Sequence, residues 1–178
     1  LPVDNKNSER VENHSPKRPK ELPCDIYTTT AKGIYYNVVI GLYENEPYEV
    51  FATTDLMTKE PHIRGNLIKV KRGHYKVNGD INRDRLMENM SDNEKTITRL
   101  ISGQLRHNRP IKYVVEDLLK LPGEGMHSFN RVLSRVLKKY IKDNEVVTGA
   151  VCENCGSIDL IYKEGCVECQ SCGIPKCS

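Results

Sequence analysis

The apolar positions of this chain change period near residue 90. Before it, short runs rich in Val, Ile, Tyr and Thr cover residues 25–30, 33–43 and 47–53, separated by Lys32-Gly33 and by Glu44-Asn45-Glu46-Pro47. Runs of this kind between turn-forming residues predict strands, here an antiparallel meander. A further hairpin is predicted over 66–78. There Leu67, Ile68 and Val70 lead into Arg72-Gly73, and Tyr75 and Val77 return with period-two character. Residues 54–65 and 79–90 read as connecting loops.

Beyond residue 90 the period becomes helical. Ser91 with Glu94 three residues on is a capping-box signature, and Ile97, Leu100, Ile101 and Leu105 mark one face of the helix that follows. Pro110 suits the first turn of a second helix, with Val114, Val115, Leu118 and Leu119 as its apolar face and Pro122-Gly123 as its stop. Ser128 can cap a third, in which Phe129, Val132, Leu133, Val136, Leu137, Tyr140 and Ile141 recur at helical spacing. The expected fold class is α+β: a small antiparallel sheet packed by about three helices, followed by a C-terminal zinc ribbon. Three segments are expected: an extended linker or strap over 1–23, an α+β accessory domain over 24–148, and a cysteine-rich module over 149–178.

Composition limits what such a chain can be. Its 178 residues suffice for one ordinary domain and a small appended module. With 38% apolar and 29% charged residues it reads as soluble and globular. No apolar run is long enough to cross a membrane and no basic-then-apolar leader is present, so the expected setting is the cytoplasm, without a membrane partner. The first residues are charged and punctuated by proline, and Leu1-Pro2-Val3 reads as the tail of an earlier segment, which makes the chain an expected fragment.

Candidate chemistry is concentrated at the other end. Six of the seven cysteines follow residue 151, spaced Cys152-x2-Cys155-x10-Cys166-x2-Cys169-x2-Cys172-x4-Cys177. One tetrahedral zinc takes four thiolates, so this run supplies one metal site and leaves two sulfurs over. In a zinc ribbon each ligand pair sits on a tight knuckle, and glycine after the second cysteine lets the backbone turn back toward the metal. Cys152-x2-Cys155-Gly156 and Cys169-x2-Cys172-Gly173 both have this form, which assigns Cys152, Cys155, Cys169 and Cys172 to Zn2+. A second register, with Cys166 and Cys169 as the later pair, satisfies the same spacing and leaves Cys172 and Cys177 as the free thiols. Residues 158–162 are β-prone and can form one strand of the ribbon, with Gly165 helping the turn. Cys177, beside Lys176 near the chain end, is placed to exchange disulfides. Cys24 reads as a buried small hydrophobe.

Two other classes compete. A zinc ribbon beside a basic helix suggests a nucleic-acid binder, with Arg131, Arg135, Lys138 and Lys142 as a stripe on the third helix. The ribbon itself mixes acids with lysines and carries one aromatic, Tyr162, which argues against a phosphate-reading surface. A structural, zinc-stapled interaction domain is the second. A free-standing enzyme finds no support, because the histidines 14, 62, 74, 107 and 127 are scattered and no phosphate loop or catalytic triad is present.

Several segments together carry a family resemblance. They are Arg18-Pro19-Lys20-Glu21-Leu22-Pro23-Cys24, Pro47-Tyr48-Glu49-Val50-Phe51, Thr98-Arg99-Leu100-Ile101-Ser102 with Leu105-Arg106-His107, and Ile111 to Glu116. Ser128-Phe129, Arg135 to Ile141, Glu164-Gly165-Cys166 with the cysteines after it, and Lys176-Cys177 complete the set. In order and spacing these resemble the C-terminal region of adenosylcobalamin-dependent (class II) ribonucleotide reductases over about residues 17–178. The resemblance implies part of a vitamin B12-dependent ribonucleoside-diphosphate reductase whose catalytic barrel, with its adenosylcobalamin site, lies upstream or on a separate chain. It implies a thiol relay in which terminal cysteines re-reduce the active-site disulfide and are recharged by thioredoxin or glutaredoxin. Carried onto this chain, the relay falls among Cys166, Cys169, Cys172 and Cys177, with Cys152 and Cys155 organising them. The family's terminal C-x4-C pair would be Cys172 and Cys177, which conflicts with the zinc set above, so the expected relay pair is Cys166 and Cys177, with Cys172 as the alternative partner of Cys177.

Overall fold

The computed structural model describes residues 14–120 and 124–177, with the side chains of 124–128 left out. Five strands, β1 (Glu21–Ala31), β2 (Ile34–Tyr43), β3 (Glu46–Thr53), β4 (His62–Lys71) and β5 (His74–Asn78), form one sheet. Its order is β3-β2-β1-β4-β5, antiparallel throughout. Three helices follow, α1 (Asp92–Arg106), α2 (Ile111–Lys120) and α3 (Glu124–Leu137), with a 3-10 turn over Lys138–Tyr140. Strands β6 (Leu160–Lys163), β7 (Cys166–Cys169) and β8 (Pro175–Lys176) make a second small sheet. The α+β class with a small antiparallel sheet and three helices is the observed architecture.

The five-stranded sheet buries both its faces in the middle. Val38, Ile40, Val50 and Ala52 point at the helices and join Ile101, Val115 and Leu133 in the larger core. Their neighbours Val39 and Phe51 point the other way, toward Ile26, Leu67, Val77 and Leu86. That second core exists because the sheet curls. β3 and β5 are its opposite edges, yet the rings of Phe51 and Tyr75 have centroids 4.6 Å apart. Residues 83–90 fill the gap: Arg83 exchanges both backbone bonds with Val77, Leu86 N–H donates to Tyr75 O, and Ala52 N–H reaches Met87 Sδ. A strand buried on both faces reads as a continuous apolar run, which is how 38–42 and 50–52 read.

Element boundaries differ from the sequence expectation in instructive ways. β1 begins at Glu21, inside the stretch read as a strap, and Pro23 is accommodated where β1 pairs with β4 alone, because pairing with β2 starts at Cys24. β4 begins at His62, earlier than 66. α3 begins at Glu124, so Ser128 lies within the helix and is not its cap. The proposed stop at Pro122-Gly123 and residues 1–13 of the strap lie outside the described residues. In α1 the capping box of Ser91 and Glu94 forms as expected, but the buried positions are Thr98, Ile101, Ser102 and Leu105, while Leu100 is 63% exposed. Ser102 explains the rotation: its Oγ accepts from Val50 N–H at 3.0 Å and faces Val50 O, so a polar residue covers the β3 edge. Leu119 is likewise largely outside the core.

An ion cluster ties the N-terminal segment to the sheet. The fully buried Glu49 carboxylate receives Arg18 on Oε1 at 2.6 Å and Arg106 on Oε2 at 2.7 Å. Arg18 lies over the Tyr75 ring, and Tyr48 OH donates to Pro16 O at 2.8 Å. Gly41 makes room for this: a Cβ there would stand 2.8 Å from Glu49 Cγ and 2.9 Å from Leu67 Cδ2.

Candidate metal centre and cysteine pair

The C-terminal hairpin positions six sulfurs in two groups. Lys163 pairs with Cys166 across a two-residue turn, Glu164-Gly165, in which both residues have positive φ. The hairpin carries Leu160 and Tyr162 on one side, 5% and 3% exposed, and they join the larger core with Leu137, Ile141 and Val147. Backbone pairing continues outward. Val147 N–H donates to Leu160 O, Tyr162 N–H to Glu145 O, and Asn144 N–H to Tyr162 O. The ribbon is therefore packed onto the α+β layer through a shared core and an extra extended segment. Ile158, read as part of the ribbon strand, precedes β6 and is 76% exposed.

Cys152, Cys155, Cys169 and Cys172 come together, with all four Sγ atoms within 4.8 Å of one another. Cys152 and Cys172 are 3.6 Å apart, as are Cys155 and Cys169. Each knuckle closes the same way: Gly156 N–H donates to Cys152 O and Gly173 N–H to Cys169 O, both at 2.8 Å, with both glycines at φ +72°. In that left-handed conformation a Cβ is costly. Ser157 and Ser171 hydroxyls join the two knuckles at 2.8 Å.

The donor set suits a tetrahedral thiophilic ion. Four thiolates on zinc at ~2.3 Å stand roughly 3.8 Å apart, close to the separations observed. Backbone N–H groups of Cys155 and Asn154 face the Cys152 thiol and lower it to about 7. Cys155 is drawn down by Ser157 N–H, but loss of solvent and the thiols of Cys169, Cys172 and Cys152 push it up to about 12. Four sulfurs this close cannot all carry charge unless a cation sits among them.

Cys166 lies outside this cluster. Its sulfur is bonded to Cys177, with Cα atoms 4.6 Å apart. Cys172, the other partner considered for Cys177, belongs to the four-sulfur group. β8 lies against β7, pairing Lys176 with Val167 and Pro175 with Glu168, and so carries Cys177 back to Cys166. Lys176 pairs with Glu153 on the first knuckle. Cys24 is buried between β1 and β4, and burial, then the Asp25 charge, push its thiol up to about 12, as expected of an inert core cysteine.

The basic stripe on α3 is not an open phosphate track. Arg135 donates to Thr29 Oγ1 and Thr30 O, and Lys138 is 6% exposed. Burial lowers the Lys138 pKa, with Arg135 and Lys176 adding to the effect. Two histidines are locally satisfied: His62 Nε2 is 2.8 Å from Asp25 Oδ1, and His74 Nε2 meets Asp84. Sequence reasoning missed what Asp25 does. It accepts from Tyr140 OH at 2.6 Å and so links β1 to the 3-10 turn that follows α3. The signal was weak, one acid at the head of the β-forming run 26–30.

No helix among the described residues is long and apolar enough to cross a membrane. No match was found among curated proteins or among solved structures. A family model does match residues 22–142, from the start of β1 through the shared core to the approach of the ribbon. The match spans well over half of the chain, and the chain belongs to the NrdJ homologue C-terminal domain family, which links it to adenosylcobalamin-dependent ribonucleotide reductase.

Proposed function

We propose that this chain serves the reductase as its electron relay: a Zn2+ ion held by Cys152, Cys155, Cys169 and Cys172 organises a module in which Cys166 and Cys177 alternate between dithiol and disulfide. The observation that supports this reading is the division of six clustered cysteines into a compact four and a bonded two. A metal knuckle protects its thiolates from oxidation, whereas a pair outside the metal group, Cys166 on β7 and the exposed Cys177 just after β8, is open to exchange.

The step balances as a dithiol–disulfide exchange. The Cys177 thiolate attacks one sulfur of the disulfide left in the catalytic barrel by nucleotide reduction, and the other barrel sulfur leaves as a thiolate. Cys166 then attacks Cys177 in the mixed disulfide, closing Cys166–Cys177 and releasing the second barrel thiolate. The barrel gains two electrons, and two protons restore its thiols. A thioredoxin- or glutaredoxin-type dithiol reverses the change on the relay. Zinc supplies charge compensation and fixes the two knuckles. The adenosylcobalamin chemistry belongs to the barrel, which in this reading is fused or associated and sits in the cytoplasm.

The test is a zinc-to-protein ratio with a free-thiol count on anaerobically purified chain, before and after thioredoxin with its reductase. One zinc throughout, with two thiols gained on reduction and mapped to Cys166 and Cys177, is the expected outcome. No thiols gained, or zinc released in step with them, would leave a structural ribbon without a relay. In the complete reductase, Cys177→Ser is expected to abolish turnover with thioredoxin while sparing turnover driven by a small dithiol that reaches the barrel directly.

A further inference from the structure

A cleft of about 720 Å³, a volume typical of small-molecule sites, is lined by none of the seven cysteines. It opens between the β4–β5 hairpin and α1, with residues 85–88 as its side wall. The hairpin contributes Lys69, Lys71 and Arg72. Helix α1 contributes Lys95, Arg99 and Arg106, and the wall adds Arg85. Among the described residues that line it, Glu88 is the one carboxylate, and it is engaged by Arg85 at 3.4 Å. A chain with net charge +3 has therefore placed a strong excess of positive charge in one concavity.

Most of these cations have no partner among the described residues. Lys69, Lys71, Arg72 and Arg99 make no side-chain hydrogen bond or ion pair with the described residues, and Lys95 only a 4.0 Å contact with the exposed Asp92. Arg106 gives one nitrogen to Glu49, but its Nε is buried without a partner among the described residues. Cations crowded in a concave wall repel one another, and such clefts focus the field on an anion. The cleft also has an aromatic side in the Phe51–Tyr75 pair.

We propose that this cleft binds a compact polyphosphate, of the kind a nucleoside triphosphate carries. Lys and Arg from two elements would clamp the phosphate chain, Arg as a fork and Lys as a point charge. The concave, two-walled form fits a short chain of phosphates better than a duplex, which needs a cationic surface running along the molecule. The assignment is independent of the relay: it uses no sulfur, and its failure would leave the thiol chemistry untouched.

The experiment is calorimetric titration of the full chain with inorganic tripolyphosphate and, separately, with ATP, at low and high salt. Saturable binding that weakens with salt is expected. Equal affinity for both probes assigns the cleft to phosphates alone, and tighter ATP binding shows that the nucleoside adds contacts beyond them. The exposed pair Arg72→Glu with Arg99→Glu should weaken binding by about tenfold or more, the equivalent of losing at least one charged contact. Lys59→Glu with Arg131→Glu changes net charge equally at exposed positions outside the cleft and should leave affinity nearly unchanged. Circular dichroism and zinc content establish that both variants remain folded. The proposal is overturned if neither probe binds, if the control pair weakens binding as much as the cleft pair, or if a short DNA duplex displaces ATP at lower concentration than tripolyphosphate does.

Discussion

The two parts of this molecule hold their shape by different means. The curled sheet and its helices bury long stretches of Val, Ile and Leu on two sides, and each such side chain contributes about 1.5–3 kcal/mol on burial. The ribbon has little core of its own. Leu160 and Tyr162 are buried because the α+β layer lends them Leu137, Ile141 and Val147, and the rest of the module depends on sulfur. A small module of this kind can therefore place reactive cysteines at an exposed edge without being loose as a whole.

Metal removal should break the comparison most sharply. Structural zinc supplies on the order of 10 kcal/mol to modules of this size. A strong chelator under reducing conditions should erase hydrogen-exchange protection over 152–177 while strands β1 to β3 stay protected. If the sheet amides open with the ribbon, the two parts are one cooperative unit and the contrast fails. The next largest effect belongs to the sheet. Glu49→Ala leaves Arg18 and Arg106 facing each other beside a buried void, and removing one partner of a buried ion pair typically costs about 3–5 kcal/mol. The urea midpoint should fall accordingly, with zinc content unchanged; zinc loss in this variant would count against separate means of support. Leu160→Ala tests the seam between the parts. At about 2–4 kcal/mol, a usual range for a buried leucine, it should lower protection of 144–163 with the sheet unaffected and the four sulfurs still loaded.

How much of this was legible in the sequence follows from where information is local. Turn residues such as Lys32-Gly33 and Arg72-Gly73, the capping box at Ser91 and the two Cys-x2-Cys-Gly knuckles are local, and each stands where its residues place it. The curl of the sheet is not local, because it depends on residues 83–90 reaching both edges. The phase of α1 was misread for a related reason. Apolar spacing chose Leu100, while the β3 edge wanted the hydroxyl of Ser102. For the sulfurs, spacing left Cys166 and Cys172 interchangeable, but strand geometry separates them. In the structure Cys169 and Cys172 share the four-sulfur group while Cys166, at the start of β7, is bonded to Cys177. Seeing that division requires β7 and β8 to be recognised as strands, and such short segments carry almost no β signal.

The smallest predicted effect sharpens the comparison under acid. Asp84 lies on the α+β side, where the hydrogen bond from His74, only partly opposed by loss of solvent, holds its carboxyl below the usual range. A folded pKa below the unfolded one means the unfolded chain binds the proton more readily. The pair then contributes stability above the ordinary carboxylate range and loses it as pH falls through the folded value. Asp84→Asn removes that dependence, so wild type should be slightly more stable near neutral pH and the gap should close in acid. Because Asp84 is exposed, the effect is small, and whole-chain melting is the wrong probe: protons also compete for the four sulfurs in the same range. The exchange rates of the Val77 and Leu86 amides, which are bonded beside this pair, isolate it. A gap between wild type and variant that stays constant down to strong acid would show that the His74 contact does not stabilise the charged carboxylate.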